Sequence, residues 1–296
     1  MSTLKVAALT GLAMIAFAGN SILCRMALKD TGIDAASFTS IRLVSGAAVL
    51  WAITIFFRRD RQGRGNWLSA LALFVYAAGF SFAYMSLTAA TGALLLFGAV
   101  QVTMIGYGLW AGERMRKQQL IGFALAFGGL VGLLLPGLSA PPLLGSVLML
   151  IAGMAWGVYS IRGKSAGDPT RVTAGNFMRA SVLALLLSVV LYSDFKTDST
   201  GVWYAIASGA ITSGLGYAIW YSVVPRLKAA NAATVQLSVP VIAALGGIMV
   251  LGESITLRFA LASLAILGGI ALVILSKSRR EDALPAAASD ATERRD

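Results

Sequence analysis

Long apolar runs, rather than alternating polar and apolar positions, dominate this chain. Windows of roughly 20 residues pass without a charge, which is long enough for a helix to span the hydrocarbon core of a bilayer. Transmembrane β-strands would need alternating hydrophobicity, which these windows lack. The pattern therefore predicts ten transmembrane helices, at about 4–24, 35–57, 67–87, 92–111, 118–136, 143–162, 173–192, 202–223, 230–251 and 257–276.

Composition supports a membrane protein. Of the 296 residues, 57% are hydrophobic and 12% are charged, and the mean hydropathy is +0.78. A soluble domain has about 25% charged residues. The 32 glycines would weaken soluble helices, but they suit close helix packing in lipid. The predicted fold class is an all-α integral membrane protein.

The positions of Lys and Arg predict the orientation. With a cytoplasmic N-terminus, 18 of the 24 basic residues fall in inner segments and four fall in outer segments. The positive-inside rule therefore favours an N-in, C-in protein of the bacterial cytoplasmic (inner) membrane. The net charge of +11 is explained by this orientation and indicates no nucleic-acid partner. The polar tail, 281–296, is predicted to be a disordered cytoplasmic end.

An internal repeat divides the chain into two units. Sliding the sequence on itself by 140 places Glu113 on Glu253, and sliding it by 137 aligns arginines of the earlier spans. Residues 1–137 and 138–280 are thus predicted to be two copies of one five-helix unit. Because five is odd, the second copy enters the membrane from the opposite side. Inverted repeats are typical of secondary transporters, in which exchanging the conformations of two related halves gives alternating access.

One stretch carries a family resemblance. From Ala229, "AANAATVQLSVPVIAALGGIMVLGESITLRFALASLAILGGIALVIL" resembles the second half of EamA-type proteins of the drug/metabolite transporter superfamily. Its motif has small residues, then Pro240, then a Gly-Glu pair that ends thirteen positions later. The first half departs from the motif, since Val100 stands where the proline would be.

A second stretch narrows the resemblance. "AGMAWGVYSIRGK", which opens the second half, and the ten-helix length are most similar to bacterial exporters of aromatic and other neutral amino acids. The resemblance implies a small-molecule substrate of that class, moved across the lipid bilayer without a cofactor. The site is expected near the midplane, between the repeats.

Aromatic residues mark a candidate binding site. The third span carries three of them at i, i+4 and i+8, which form one stripe on a helix. The repeat places tyrosines at the matching part of the eighth span, and two aromatic residues share a face of the sixth. Such walls would hold a flat side chain or an ammonium group, although membrane Tyr and Trp also form interfacial belts. These candidates are Tyr76, Phe80, Tyr84, Trp156, Tyr159, Tyr217 and Tyr221.

Polar residues inside spans need a partner or a wet cavity. They could bind the ammonium and carboxylate groups of an amino acid, or they could join helices by hydrogen bonds. Gln236 is the strongest single candidate, because Pro240 frees a backbone carbonyl one turn earlier, beside that side chain. Asn176, Asn231 and Thr103 are further polar residues inside spans with the same two possible roles. The polar candidates for substrate binding are Asn20, Gln101, Ser213 and Gln236.

Charged residues at or near the spans are predicted to have structural or gating roles. Arg42 and Arg179 occupy equivalent positions near the first third of their spans, where an Arg side chain can snorkel to the interface. Glu113 and Glu253 end the fourth and ninth spans and are expected to cap helices or pair with arginine. Pro240 is the fifth residue of this group.

The mode of transport follows from what the spans lack. All thirteen acidic residues map to loops, span ends or the tail, and the chain has no histidine. Proton-coupled carriers usually relay protons through buried Asp, Glu or His, so facilitated diffusion is predicted. No catalytic residue, metal site or cofactor is predicted, and without a phosphate-binding loop the chain alone is not an ATP-driven pump.

Several alternatives remain open at this point. A multidrug or quaternary-ammonium exporter would normally need a buried carboxylate, and a phosphate-sugar exchanger would need several midplane cations. From other classes, a non-transporting membrane receptor is disfavoured by the inverted repeat, and a membrane-embedded enzyme by the lack of a nucleophile with a base.

Overall fold

All ten predicted spans correspond to helices. The structure, a computed structural model, describes residues 1–57, 63–112, 117–137, 140–163, 168–227, 232 and 235–293, with side chains up to Leu275 except Phe57. These residues contain no strand. The helices are α1 (Thr3–Asp30), α2 (Ala35–Phe57), α3 (Trp67–Tyr84), α4 (Ala89–Trp110), α5 (Lys117–Leu134), α6 (Leu143–Arg162), α7 (Pro169–Val190), α8 (Ser199–Arg226), α9 (Ser238–Leu251) and α10 (Leu257–Glu293).

Nine of these described helices are long and apolar enough to cross a membrane, and α9, with 14 residues, is shorter. The ninth span was predicted from residue 230; α9 begins at Ser238, and Ala232, Val235 and Gln236 before it are also helical. Pro240 lies in its first turn, where a missing N–H costs no helical hydrogen bond. At the other end, α10 continues to Glu293, which differs from the predicted disordered tail. The tail is rich in alanine, the strongest helix former.

Short polar side chains fix where several helices begin. Asn66, Thr88 and Asp168 each accept a hydrogen bond from the backbone N–H three residues later, at the starts of α3, α4 and α7. Asp34 does the same for α2 and also accepts the backbone N–H of Lys196, at 3.0 Å. Burial opposes ionisation of Asp34, but these hydrogen bonds outweigh it, and its pKa lies below the ordinary value. The α1–α2 turn is thereby tied to the α7–α8 connection.

The helix contacts between the two halves obey a two-fold pattern. Helix α2 packs against its counterpart α7, and α5 packs against its counterpart α10. The α3–α6 contact is matched by α1–α8, and the α4–α6 contact is matched by α1–α9. Each of these contacts therefore has the mate that exchanging two related units would produce, so these parts of the core are built by the halves together.

Glycines permit the close approach of α5 and α10. A Cβ atom on Gly122 would lie 2.5 Å from the carbonyl oxygen of Gly269, and one on Gly129 would lie 2.8 Å from the Cβ of Ala265. On α5, Gly128 has open space instead. Helices in lipid associate by such backbone contact, because apolar side chains gain little from leaving lipid.

Helix α8 changes its hydrogen-bond pattern in the middle. Residues Ser208–Leu215 form a π-helical segment, which packs against α1 and α2. Gly209 contacts the backbone of Arg42 so closely that any side chain there would collide with it. π-Helical segments widen a helix and are frequent at functional sites. The side chains of Ser208–Leu215 are therefore candidates for a functional role.

Candidate substrate-binding cavity

A cavity of about 470 Å³ lies between the two halves. It is lined by α1, α3 and α4 from the first half, by α6, α7 and α8 from the second, and by the segment before α9. The structure brings ten of the eleven predicted substrate-binding residues to its wall. They are Asn20, Tyr76, Phe80, Gln101, Trp156, Tyr159, Ser213, Tyr217, Tyr221 and Gln236.

Stacked aromatic rings form one side of the cavity. The Trp156 ring stacks on Tyr217 at 5.3 Å with an interplanar angle of 19°, and on Tyr159 at 5.3 Å with an angle of 27°. It also contacts Tyr76 at 4.8 Å in a tilted arrangement. Phe17 of α1 packs against Tyr217 at 5.6 Å. Trp156 therefore joins the aromatic stripes of α3 and α8.

Tyr84 is the predicted aromatic residue that does not line the cavity. Its ring packs edge-on against Phe80 at 4.7 Å, and its hydroxyl donates to the carbonyl of Ala89 at 3.2 Å. The side chain is fully buried. One more helical turn carries Tyr84 past the end of the cavity, so it packs behind the wall.

A chain of hydrogen bonds lies at the deep end. The Asn20 amide oxygen accepts from the hydroxyls of Ser208 at 2.6 Å and Thr212 at 3.3 Å. These two bonds fix the amide so that its NH₂ group faces Tyr76, and it donates to the Tyr76 hydroxyl at 3.4 Å. The π-helical segment thus orients Asn20, while Ser213 on the same segment lines the cavity with a buried hydroxyl that has no partner among the described residues.

Arg42 is buried behind Tyr76 and Phe80. Only 1% of the residue is exposed, so the snorkelling interpretation is wrong for it. Its guanidinium donates to the Tyr76 hydroxyl at 3.0 Å and lies over the Tyr76 and Phe80 rings at 5.3 and 4.8 Å. The faces of these two rings attract the guanidinium by cation–π interaction. They replace the polar membrane interface that a snorkelling arginine would reach. Nε and Nη1 remain buried without a hydrogen-bond partner in the described part of the chain.

Its repeat counterpart, Arg179, has a different environment. Arg179 is half-buried and donates to the backbone carbonyls of Arg64 at 2.7 Å and Gly175 at 2.8 Å. Its guanidinium lies 5.9 Å from the centre of the Trp67 ring. The residue does not line the cavity, so the two equivalent arginines differ between the halves.

The cavity extends to one end of the helix bundle. There it is lined by the exposed residues Asn66, Arg162 and Gly163. Arg162 donates to the Ser69 hydroxyl at 3.3 Å. Asn176, a polar residue that the sequence places inside a span, accepts the backbone N–H of Asn66 at 2.9 Å. These residues form what we call the mouth.

The opposite end is closed by a polar cluster. The carboxylate of Glu253 accepts the backbone N–H of Ala89, with both oxygens at 2.9 Å, and lies 3.8 Å from the Arg25 guanidinium. Arg25 also donates to the carbonyl of Tyr84 at 2.8 Å. The side chains of Arg25 and Glu253 are 12% and 7% exposed. Glu253 therefore caps α4 and pairs with arginine, and this closing cluster joins α1, α3, α4 and the end of α9.

The remaining predicted residues lie on the cavity wall, in the first turn of α9 or outside the described residues. Gln236 donates to the carbonyl of Ala232 at 3.1 Å, which leaves its side-chain oxygen available on the cavity wall. Gln101 lines the same wall from α4. Pro240 is buried in the first turn of α9. Glu113 and Asn231 lie outside the described residues.

Sequence reasoning missed several lining residues. Phe17, Thr212 and Trp220 line the cavity but were not among the predicted substrate-binding residues, nor were the mouth residues Asn66 and Arg162. Ser208 and Thr212, four residues apart on one helix face, were a usable signal for polar packing against another span. The mouth residues carried no such signal, because they lie at helix ends, where polar residues are ordinary.

Comparisons with known proteins agree with this architecture. The model of the EamA-like transporter family matches residues 4–135 and 143–275, so the family domain occurs twice. An uncharacterized protein of Pseudomonas aeruginosa is 57% identical over 93% of this chain and 97% of its own length. The threonine/homoserine exporter RhtA of Salmonella typhimurium is 27% identical over 76% of each chain. A probable amino-acid metabolite efflux pump of Escherichia coli is 25% identical over 73% of this chain and 79% of its own.

A solved crystal structure also shares the fold. It covers 93% of this chain and 98% of its own, with a TM-score of 0.65 and 17% identity. This likeness concerns the fold alone. Because the family model matches nearly all of both halves, the chain belongs to the EamA-like transporter family.

Proposed function

We propose that this protein exports neutral amino acids, aromatic ones included, across the bacterial inner membrane by alternating access. The observation that carries the proposal is the cavity between the two halves, with aromatic rings on one side and hydrogen-bonding groups at its deep end. Its volume, about 470 Å³, falls within the range typical of small-molecule sites, roughly 300–1,000 Å³.

The wall matches the parts of an amino acid. A planar or apolar side chain fits against Trp156 and Tyr217, whose rings also attract an ammonium group by cation–π interaction. The free side-chain oxygen of Gln236 provides an acceptor for the same ammonium. The names of the two relatives, a threonine/homoserine exporter and an amino-acid metabolite efflux pump, support the substrate class.

The closed end and the mouth define an inward-open state. The positive-inside prediction assigns the mouth to the cytoplasm, because the loops beside Asn66 and Arg162 are rich in arginine and lysine. The closing cluster of Arg25 and Glu253 then lies on the outer side. Export requires this cluster to separate while the mouth closes.

Transport is proposed to follow the substrate's own gradient. No Asp or Glu is among the described residues that line the cavity, and the chain has no histidine. A proton relay through the site would need such a group. The same lack of a carboxylate disfavours the multidrug alternative, since an organic cation would meet no opposite charge there.

Counterflow in proteoliposomes tests the proposal. Vesicles loaded with unlabelled phenylalanine, threonine or methionine should accumulate the labelled amino acid transiently, with or without a pH gradient. Trp156→Ala should weaken the apparent affinity for phenylalanine by about tenfold, since each aromatic contact contributes about 0.5–1.5 kcal/mol.

Trp51→Ala is the matched control, because Trp51 is 53% exposed on α2 and lies away from the cavity. That variant should retain wild-type counterflow. If the wild-type protein exchanged no amino acid but did move flat cationic dyes, the multidrug alternative would replace the proposal. If a pH gradient drove uphill accumulation, the facilitator mechanism would be wrong.

A further inference from the structure

We infer that the deep end of the cavity is a carboxylate-binding site, formed by the hydroxyl of Tyr76 and supported by the buried charge of Arg42. The inference rests on the proposed function and specifies its substrates, which must carry a carboxylate. Notably, the hydrogen-bond donors at this end exceed the acceptors.

The Tyr76 hydroxyl already accepts two hydrogen bonds. One comes from Nη2 of Arg42 at 3.0 Å, and the other comes from the Asn20 amide at 3.4 Å. Its own hydrogen has no acceptor among the described residues. Because Tyr76 lines the cavity, that hydrogen is available to an acceptor in the cavity.

Ser213 adds a second free donor. The residue lines the cavity, and its buried hydroxyl has no hydrogen-bond partner in the described ranges. It follows Thr212, which is bonded to Asn20, along the π-helical segment. Buried polar groups without partners are rare in proteins, and one at a cavity wall can bond to a ligand that enters the cavity.

The buried charge of Arg42 favours an anionic ligand at this end of the cavity. Its charge has no acidic partner among the described residues, and two of its nitrogens lack hydrogen bonds. An unpaired buried charge is strongly unfavourable, and ionisable residues inside membranes are functional candidates. A carboxylate beyond the Tyr76 ring, some 8 Å from the guanidinium, would gain about 30-fold in affinity at an effective dielectric constant of about 20. The charge acts through Tyr76, so Arg42 is a positioning residue.

This arrangement also fixes how the substrate lies. The carboxylate meets Tyr76 and Ser213 at the deep end, while the side chain contacts Trp156 and Tyr217. Amines that lack the carboxylate would leave the same donors unpaired, and sites built for hydrogen bonds reject such analogues strongly.

The test compares L-phenylalanine with phenethylamine, which lacks the carboxylate, as competitors of labelled phenylalanine counterflow. The variants are Tyr76→Phe, which keeps the ring, and Arg42→Gln, with Tyr107→Phe as a control that removes a tyrosine hydroxyl from an exposed position of α4 outside the cavity wall. In the wild type, phenylalanine should compete and phenethylamine should not. Tyr76→Phe should weaken phenylalanine competition roughly 10- to 100-fold, the effect of one hydrogen bond to a charged group.

Arg42→Gln should give a similar loss, and Tyr107→Phe should give none. Wild-type exchange of phenylalanine with unchanged competition in Tyr76→Phe would overturn the carboxylate site and leave the proposed function intact. Tyr76→Phe keeps the ring packing, so this result stays informative even if Arg42→Gln does not fold. Wild-type protein that exchanged phenethylamine and no amino acid would overturn both.

Discussion

Removing the carboxylate of Glu253 is expected to open the closed end of the cavity. In the inward-open state this carboxylate accepts the N–H that begins α4 and faces Arg25, with its side chain 7% exposed. Alanine at this position leaves the N–H of Ala89 and part of the Arg25 charge unpaired. The substitution destabilises the inward-open state, because the closing cluster is assembled only there. The population therefore shifts toward the outward-open state.

The size of the shift follows from the bonds lost. One hydrogen bond to a charged group contributes about 2 kcal/mol, and the 3.8 Å contact with Arg25 adds to it, offset by desolvation. About 2 kcal/mol changes the ratio of the two states roughly 30-fold. A minor outward-open state of about 1% would then approach a quarter of the molecules.

The one cysteine of the chain reports this shift. Cys24 is fully buried and precedes Arg25 on α1. In proteoliposomes, an impermeant maleimide should label Cys24 slowly in the wild type and at least tenfold faster in Glu253→Ala, because labelling follows the population of the open state.

Arg258→Ala is the control. Arg258 donates to the carbonyl of Leu135 at 2.7 Å, on the same side of the protein but outside the closing cluster. This variant should label like the wild type. Equal labelling rates in all three proteins would refute the assignment of the cluster as a gate, and equally fast labelling in Arg258→Ala would indicate general loosening instead.

Three further predictions concern stability and coupling. Gly122→Val should destabilise the α5–α10 contact by roughly 1–3 kcal/mol because its side chain meets the backbone of Gly269, whereas Gly128→Val should be neutral, as thermal unfolding in detergent would show. Since the pKa of Asp34 is lowered in the folded protein, its stabilisation is present at neutral pH and lost as pH falls below about 4, so Asp34→Asn should lower the melting temperature at pH 7 more than at pH 3. Counterflow rates should change less than twofold between pH 6 and 8, because no described cavity residue is a carboxylate or histidine; a steep pH profile would contradict this.

The helices were predictable because a membrane imposes length and hydrophobicity on each span. Sequence predicted ten spans and the two-unit repeat, and it selected ten residues that meet at the cavity. It placed Tyr84 there as well, because a helical stripe gives direction but not the depth at which a cavity ends.

The environments of the two equivalent arginines were not predictable. Arg42 and Arg179 match in the repeat, yet one is buried against rings and the other bonds to backbone carbonyls near the mouth. The difference arises because one end of the bundle is closed and the other is open. One sequence serves both the inward-open and the outward-open state. It therefore does not show which of the two arginines is buried against aromatic rings in a given state.

The most direct test of the central claim is substrate protection of a cysteine placed in the cavity. Ser160 lies one turn from Trp156 on the cavity wall, and Ser160→Cys in a Cys24→Ser background gives a single reactive thiol there. Phenylalanine should slow maleimide labelling of this thiol in proportion to its occupancy. It should not slow labelling at Ser222→Cys, outside the cavity wall. Counterflow of phenylalanine without protection at residue 160 would show that the amino acid crosses elsewhere and would contradict the account.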